Sequence, residues 1–240
     1  MVAIILNSGI GKRMGSITTH IPKCMVELRD DETILGRQLK MLSSKGINRT
    51  IITTGPHKDK LMKYVKSVSS MEIEFVHSPL FETTNYIYSM FLISRALDIT
   101  EECLLLHGDL VFEDTVLEKV INHSQSGVLV NSEADLPEKD FKARVVNGLV
   151  KEIGIDLFDT DCYFCLPLYK LSDGLTKLWF AEIERFVEKG ETSVYAENAL
   201  NSILEDNCLD AIPFSGELCA EIDNLEDLEQ VRRRITEIER

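Results

Sequence analysis

The segment Asn7-Ser8-Gly9-Ile10-Gly11-Lys12-Arg13-Met14-Gly15 joins two closely spaced glycines to two adjacent cations. Glycine lets the backbone turn sharply and approach a ligand closely. Exposed amides flanked by Lys12 and Arg13 make a cradle for phosphate oxygens. Two familiar phosphate loops do not fit. A Walker A loop needs a glycine five residues before the Gly11-Lys12 pair, and Leu6 stands there. A dinucleotide fingerprint needs a third glycine that opens directly into a helix. Met14 holds that position, and the polar stretch runs on to Pro22 and Lys23. What remains is a long loop with basic residues at both ends.

Such a loop needs a rigid support. Residues 2–7 are a continuous apolar run, which reads as a strand buried on both faces rather than as a secretory leader, since no basic residues precede it. Residues 8–22 read as loop. A helix is expected over 34–45, with Thr33 as its N-cap, Ile34, Leu35, Leu39 and Leu42 on one face and Gly46 as its stop. A strand over 49–54, a helix near 57–68, a strand over 72–76, a helix over 85–97 and a strand over 103–107 follow. That alternation is the pattern of an open parallel sheet. Short strands are expected near 127–131, 142–146, 149–153 and 160–168, then helices near 173–189 and 195–206. A last helix begins at Asn224, with Asp227 as the acidic half of a capping box and Leu225, Leu228, Val231, Ile235 and Ile238 as its apolar stripe.

The bulk properties narrow the function classes. With 240 residues, 44% of them hydrophobic, the chain can bury a sizeable core. A net charge of −14 argues against a nucleic-acid groove, and no apolar run is long enough to span a membrane. The six cysteines are expected as reduced thiols in a cytoplasmic protein. Cys162 and Cys165 lack a second pair at zinc spacing and read as part of a hydrophobic strand. Trp179 reads as core, and His107 as a buried strand histidine or, directly before Gly108-Asp109, as a residue lining the site.

Leu6 to Leu28 resembles the signature of the nucleotidyltransferases that make NDP-sugars and CDP-alcohols. Pro22-Lys23-Cys24-Met25-Val26 supplies its second half, and Gly108-Asp109 and Glu221-Ile222-Asp223-Asn224 extend the likeness along the chain. The resemblance implies an α/β fold with a Rossmann-like, mostly parallel central sheet of the GT-A-like kind and a small mixed acceptor-binding lobe. It implies one nucleotidyltransferase domain over 1–240. Residues 1–125 would be mainly nucleotide-binding, 126–222 mainly acceptor-binding, and 223–240 a C-terminal helix. The reaction would be in-line attack of an acceptor oxygen on the α-phosphorus, with pyrophosphate leaving. Arg13 would clamp the β and γ phosphates, and Lys23 would act at the α-phosphate. Leu6, Asn7, Ser8, Gly9, Gly11 and Lys12 would bind the nucleotide, and Asp109 and Asp223 would hold Mg2+.

Thr83 to Met90 looks like a segment of the phosphocholine and phosphonate cytidylyltransferase branch, with Tyr86 in place of an expected Asn. Asn85 and Ser89, four residues apart on one helix face, would reach the cytidine of CTP. Tyr195 and Glu197 match a Tyr-x-acid pair that faces the acceptor's amine. Cys219 stands where choline-binding members carry a Trp, so an aromatic cage for a quaternary ammonium would lack one wall. The resemblance therefore favours a small phosphonate of the 2-aminoethylphosphonate kind as acceptor. Phosphocholine, another phosphorylated alcohol or a sugar 1-phosphate remains open. Arg144 or Lys151 would replace an acceptor-phosphate ligand missing at Gly154-Ile155-Asp156. No nucleic-acid or membrane partner is expected, and a homodimer is compatible with the sequence.

Overall fold

The computed structural model describes residues 1–239. The first half begins with β1 (Val2–Leu6), whose five residues are all buried. Alternation along the strand divides them: Val2, Ile4 and Leu6 enter one core layer, Ala3 and Ile5 the other. Two short strands, β2 (Glu27–Arg29) and β3 (Glu32–Thr33), lead into α1 (Ile34–Ser44). The Thr33 hydroxyl caps α1 by accepting from Gly36 N at 3.0 Å, as its sequence position predicts. Then come β4 (Arg49–Thr54), α2 (Lys58–Val68), β5 (Glu72–His77), α3 (Tyr86–Ala96), β6 (Cys103–His107), β7 (Leu110–Phe112) and α4 (Asp114–Asn122). The second half holds β8 (Gly127–Asn131), β9 (Lys142–Val146), β10 (Leu149–Gly154), β11 (Cys162–Leu171), α5 (Asp173–Glu188), α6 (Ala196–Asn201), β12 (Asp210–Pro213), β13 (Cys219–Glu221) and α7 (Leu225–Ile238).

One nine-stranded sheet runs through both halves in the order β5-β4-β1-β6-β11-β8-β12-β10-β9. From the pairings, every strand except β11 and β10 runs the same way, so the expected mostly parallel α/β sheet is what forms. β9 also pairs with β11, closing the last five strands into a ring. Helices α3, α5 and α6 pack on one face, and α1, α2 and α4 on the other. A third cluster packs Leu228, Val231 and Ile235 of α7 against Met14, Val26 and Leu28.

Several expectations need correction. Residues 8–22 are not plain loop. They hold a 3₁₀ segment over Lys12–Thr19, broken at Gly15, and a second 3₁₀ turn covers Lys23–Met25. Short 3₁₀ pieces are stabilised locally, here by Thr18 Oγ1 donating to Gly11 O at 2.9 Å, so no apolar periodicity announces them. Helix α6 stops at Asn201 rather than continuing to 206. The Asn201 amide leaves the helix surface to bond both Ile153 N and Ile153 O, each at 2.8 Å. Leu225 and Ile238, at the ends of the expected stripe of α7, are exposed. Helix α4 and strands β7, β12 and β13 were not anticipated. The cysteines are all free, and Cys162 and Cys165 are buried in β11.

Trp179 is the largest fully buried side chain, and its indole donates to Ala196 O at 2.9 Å, tying α5 to α6. Trp179→Ala should lower unfolding free energy by about 3–5 kcal/mol in denaturant titration. A loss under ~1 kcal/mol would show that this joint is not part of the cooperative core.

Candidate active site

The carboxyl ends of β5, β1 and β6 open onto one cavity of about 430 Å³, the usual place for a ligand in an open α/β sheet. The glycine loop leaves β1 at its floor. Asn7 N donates to Thr53 Oγ1 at 2.7 Å, which fixes the loop to β4. The loop can sit this low only because Gly55 has no side chain; a Cβ there would lie 2.1 Å from Ser8 O. Gly11 adopts φ +70 and turns the chain into the 3₁₀ segment. All eight expected nucleotide-binding residues line the cavity: Leu6, Asn7, Ser8, Gly9, Gly11, Lys12, Asn85 and Ser89. Arg13, Lys23, Asp109 and Asp223 line it too.

The charged groups converge. Lys23 Nζ donates to Asp109 Oδ2 at 2.6 Å and to Asp223 Oδ1 at 2.7 Å. Arg13, mostly exposed, reaches the same Asp223 oxygen at 2.9 Å. Burial works against the Lys23 ammonium, but the two carboxylates outweigh it and hold its pKa above the ordinary lysine value. Burial likewise opposes a charged Asp109, and Lys23 and His107 reverse that, so its pKa falls. Asp109 Oδ1 is buried and has no hydrogen-bond partner among the described residues.

Two supports place these carboxylates. Gln38 of α1, almost wholly buried, donates to His107 O at 2.9 Å and to Leu110 O at 2.7 Å. It thus braces the turn that carries Asp109 from both sides. The β7–β13 ladder pairs Leu110 with Glu221, and Ile222 N donates to Asp109 O at 3.1 Å, bringing Asp223 beside Asp109. Asn224 and Asp227 form the capping box of α7. Asp223 is therefore not needed as a cap, and its carboxylate meets Lys23 and Arg13.

Asn85 caps α3, its side-chain oxygen accepting from Tyr86 N at 2.8 Å. Ser89 is buried, and its hydroxyl shares a 2.6 Å hydrogen bond with that of Ser8. Sequence reasoning missed Ser78, Phe81 and Tyr86 as lining residues. Ser78 follows β5, and its buried hydroxyl lacks a partner among the described residues; a small polar residue just past a strand was the only signal. Of the two readings open for His107, lining the site is the one the structure shows. It lines the cavity and pairs with Glu221 through Nδ1 at 3.1 Å. Burial works against a charged His107, but Glu221 and Asp109 outweigh it and raise its pKa. His107, Asp109 and Glu221 bring their ligand atoms within 4.8 Å of one another.

The expected acceptor residues fare differently. Tyr195 stands at the start of α6, partly exposed, its ring 5.9 Å from that of Tyr86. Glu197 does not face an open site: it is 1% exposed, and its two oxygens accept from the Tyr86 and Tyr169 hydroxyls. Its place inside the first turn of α6 turns it toward the core, which a Tyr-x-acid spacing alone does not reveal. Arg144 is not in the cavity lining. Its guanidinium is paired with Glu152, Asp159 and Asp161 across the β9–β10 and β9–β11 edges. That local acidic set, close only in three dimensions, accounts for the correction.

Comparison with known proteins agrees with this geometry. Over 95% of this chain and 98% of the other, the sequence is 26% identical to a CTP:phosphoglutamine cytidylyltransferase of Campylobacter jejuni subsp. jejuni. It is 29% identical to the CMP-5'-(3-aminopropyl)phosphonate synthase of Streptomyces rubellomurinus, over 49% of this chain and 18% of that one. The structure of an inositol-1-phosphate CTP transferase from T. maritima superposes with a TM-score of 0.79 at 21% identity, covering 98% of this chain and 96% of that one, and so shares the fold. The family described as Nucleotidyl transferase matches residues 2–141, more than half of the chain, and the protein is therefore a member of the Nucleotidyl transferase family and an enzyme of that class.

Proposed function

We propose that the protein is a CTP-dependent cytidylyltransferase. It moves CMP onto a small amine-bearing phosphonate, of which 2-aminoethylphosphonate is the type, and releases pyrophosphate. The observation that carries this reading is a pair of buried polar atoms without partners among the described residues, Ser78 Oγ and Asp109 Oδ1, in one cavity. They flank the glycine loop and follow strands three positions apart in the sheet, on the order of 14 Å. That span suits a nucleotide, with polar base contacts near Ser78, Asn85 and Ser89 and phosphates near Arg13, Lys23 and Asp109. The choice of CTP and of an aminated acceptor is supported by what the two curated relatives are named for.

The residues divide the work. An acceptor oxygen forms a bond to the α-phosphorus as the bond to pyrophosphate breaks. A phosphonate is already largely ionised at neutral pH, so no general base is required. Arg13 offers a planar fork to the leaving phosphates. Lys23 exchanges its carboxylate partners for α-phosphate oxygens and stabilises charge as it builds in the transition state. Asp109 and Asp223 present hard oxygen donors, one of them the unpartnered Asp109 Oδ1, and this set fits Mg2+. When bound there, the cation would neutralise triphosphate charge.

Three outcomes test the reading. With Mg2+ and a panel of four NTPs, pyrophosphate release should require CTP and proceed with 2-aminoethylphosphonate or phosphocholine. Release only with UTP or dTTP and glucose 1-phosphate would replace the reading with sugar nucleotide synthesis. Lys23→Ala should lower kcat by roughly 10²–10³-fold with little change in KM for CTP; an unchanged kcat would remove Lys23 from the chemistry. Asp109→Asn should raise the Mg2+ concentration needed for half-maximal rate by at least ~10-fold, and an unaltered titration would remove it from the metal site.

A further inference from the structure

On the cytidylyltransferase reading, on which this inference rests, the sheet order divides the cavity between donor and acceptor. With the base beside Ser78 at the end of β5 and the phosphates on the glycine loop after β1, the side left for an acceptor lies over β6, toward β11. Tyr86 crosses that side. It lines the cavity, its ring meets that of His107 edge-on at 4.9 Å at the end of β6, and its hydroxyl donates to Glu197. The other Glu197 oxygen accepts from the Tyr169 hydroxyl of β11 at 2.8 Å. A wall of rings runs outward from Tyr86: Tyr195 lies 5.9 Å away and packs edge-on against Phe141 at 5.0 Å.

A carboxylate taken out of water is costly unless it is paired or hydrogen-bonded. Glu197 makes no ion pair among the described residues, and the phenols of Tyr86 and Tyr169 supply its hydrogen bonds instead. Of these tyrosines, Tyr86 is the one that lines the cavity, so its side chain reaches from the cavity wall to the buried carboxylate. The spacing is held from both ends. Asn85 N, at the start of α3, donates to Thr192 O at 2.8 Å in the segment before α6. Trp179 and Asn201 tie α6 to α5 and β10. Neither Tyr86 nor Glu197 stands on an element free to swing away.

A phenol bonded to a carboxylate fills the place where a ligand's ammonium group would otherwise satisfy that charge. We propose that Tyr86 is a specificity-determining residue: it takes the place beside Glu197 that a bulky cationic head group would need, and so confines the acceptor to a small head group such as a primary amine. Shortening Tyr86 uncovers Glu197 as a site for a larger cation.

The test uses 2-aminoethylphosphonate and its N,N,N-trimethyl derivative, which differ only in the methyl groups on nitrogen. Wild type should use the primary amine at least ~10-fold better in kcat/KM, because a closed wall rejects added methyl groups by about that factor. Tyr86→Asn should move that ratio toward the trimethyl compound roughly 10- to 100-fold, with KM for CTP within about threefold. Tyr86→Phe keeps the ring and should leave the ratio within about threefold of wild type. Adding Glu197→Gln to Tyr86→Asn should remove most of the gain, since the uncovered charge is lost. Equal use of both acceptors by wild type, or an unmoved ratio in Tyr86→Asn, overturns the inference while cytidylyl transfer stands. A full gain that survives Glu197→Gln overturns the uncovered carboxylate as the new site. If wild type releases pyrophosphate from CTP with neither compound nor with phosphocholine, the transferase reading fails first, and the role of Tyr86 falls with it.

Discussion

The Lys23 ammonium held between Asp109 and Asp223 is the interaction on which the site's arrangement depends. Two carboxylates this close repel each other strongly inside a protein, where charges are poorly screened. Lys23 and Arg13 offset that repulsion and leave the cluster near neutrality. A chain of net charge −14 can therefore keep a site ready for a polyanion without a broadly basic surface. The same cluster joins distant parts of the chain: the glycine loop's far end, the β6–β7 turn and the start of α7.

That junction explains otherwise minor elements. Strands β7 and β13 are three residues each, yet their pairing sets Asp223 against Asp109. Gln38 spends a buried amide on two carbonyls around Gly108-Asp109, and its own oxygen has no partner among the described residues. Buried polar groups are costly unless satisfied. This one trades part of that cost for a fixed turn where the carboxylate must point accurately.

The second half of the sheet has a different task. Closure of β9 onto β11 curls the sheet's end and brings Phe141 against Tyr195 and so toward Tyr86. Burial and the Glu197 carboxylate push the Tyr86 and Tyr169 phenols well above their usual pKa. They therefore stay protonated and remain donors to Glu197. The aromatic wall is built by long-range packing, whereas the glycine loop is built largely by local backbone geometry.

That contrast separates what sequence reading could reach from what it could not. Strands β1, β4, β5 and β6, the Thr33 and Asn224 caps and the glycine loop were readable, because periodicity, capping and glycine conformation act over a few residues. Lys23, Asp109 and Asp223 were found by their likeness to a known pattern, and their convergence in one cavity is a tertiary fact. The fates of Glu197 and Arg144 were decided only in three dimensions. Helical phase turned Glu197 inward onto Tyr86 and Tyr169, and cross-strand register handed Arg144 to Glu152, Asp159 and Asp161. By itself the sequence determined which backbone could cradle a phosphate. Only the folded chain decided which charges would be paired and which left free, because pairing joins residues as far apart in sequence as Lys23 and Asp223, 200 positions.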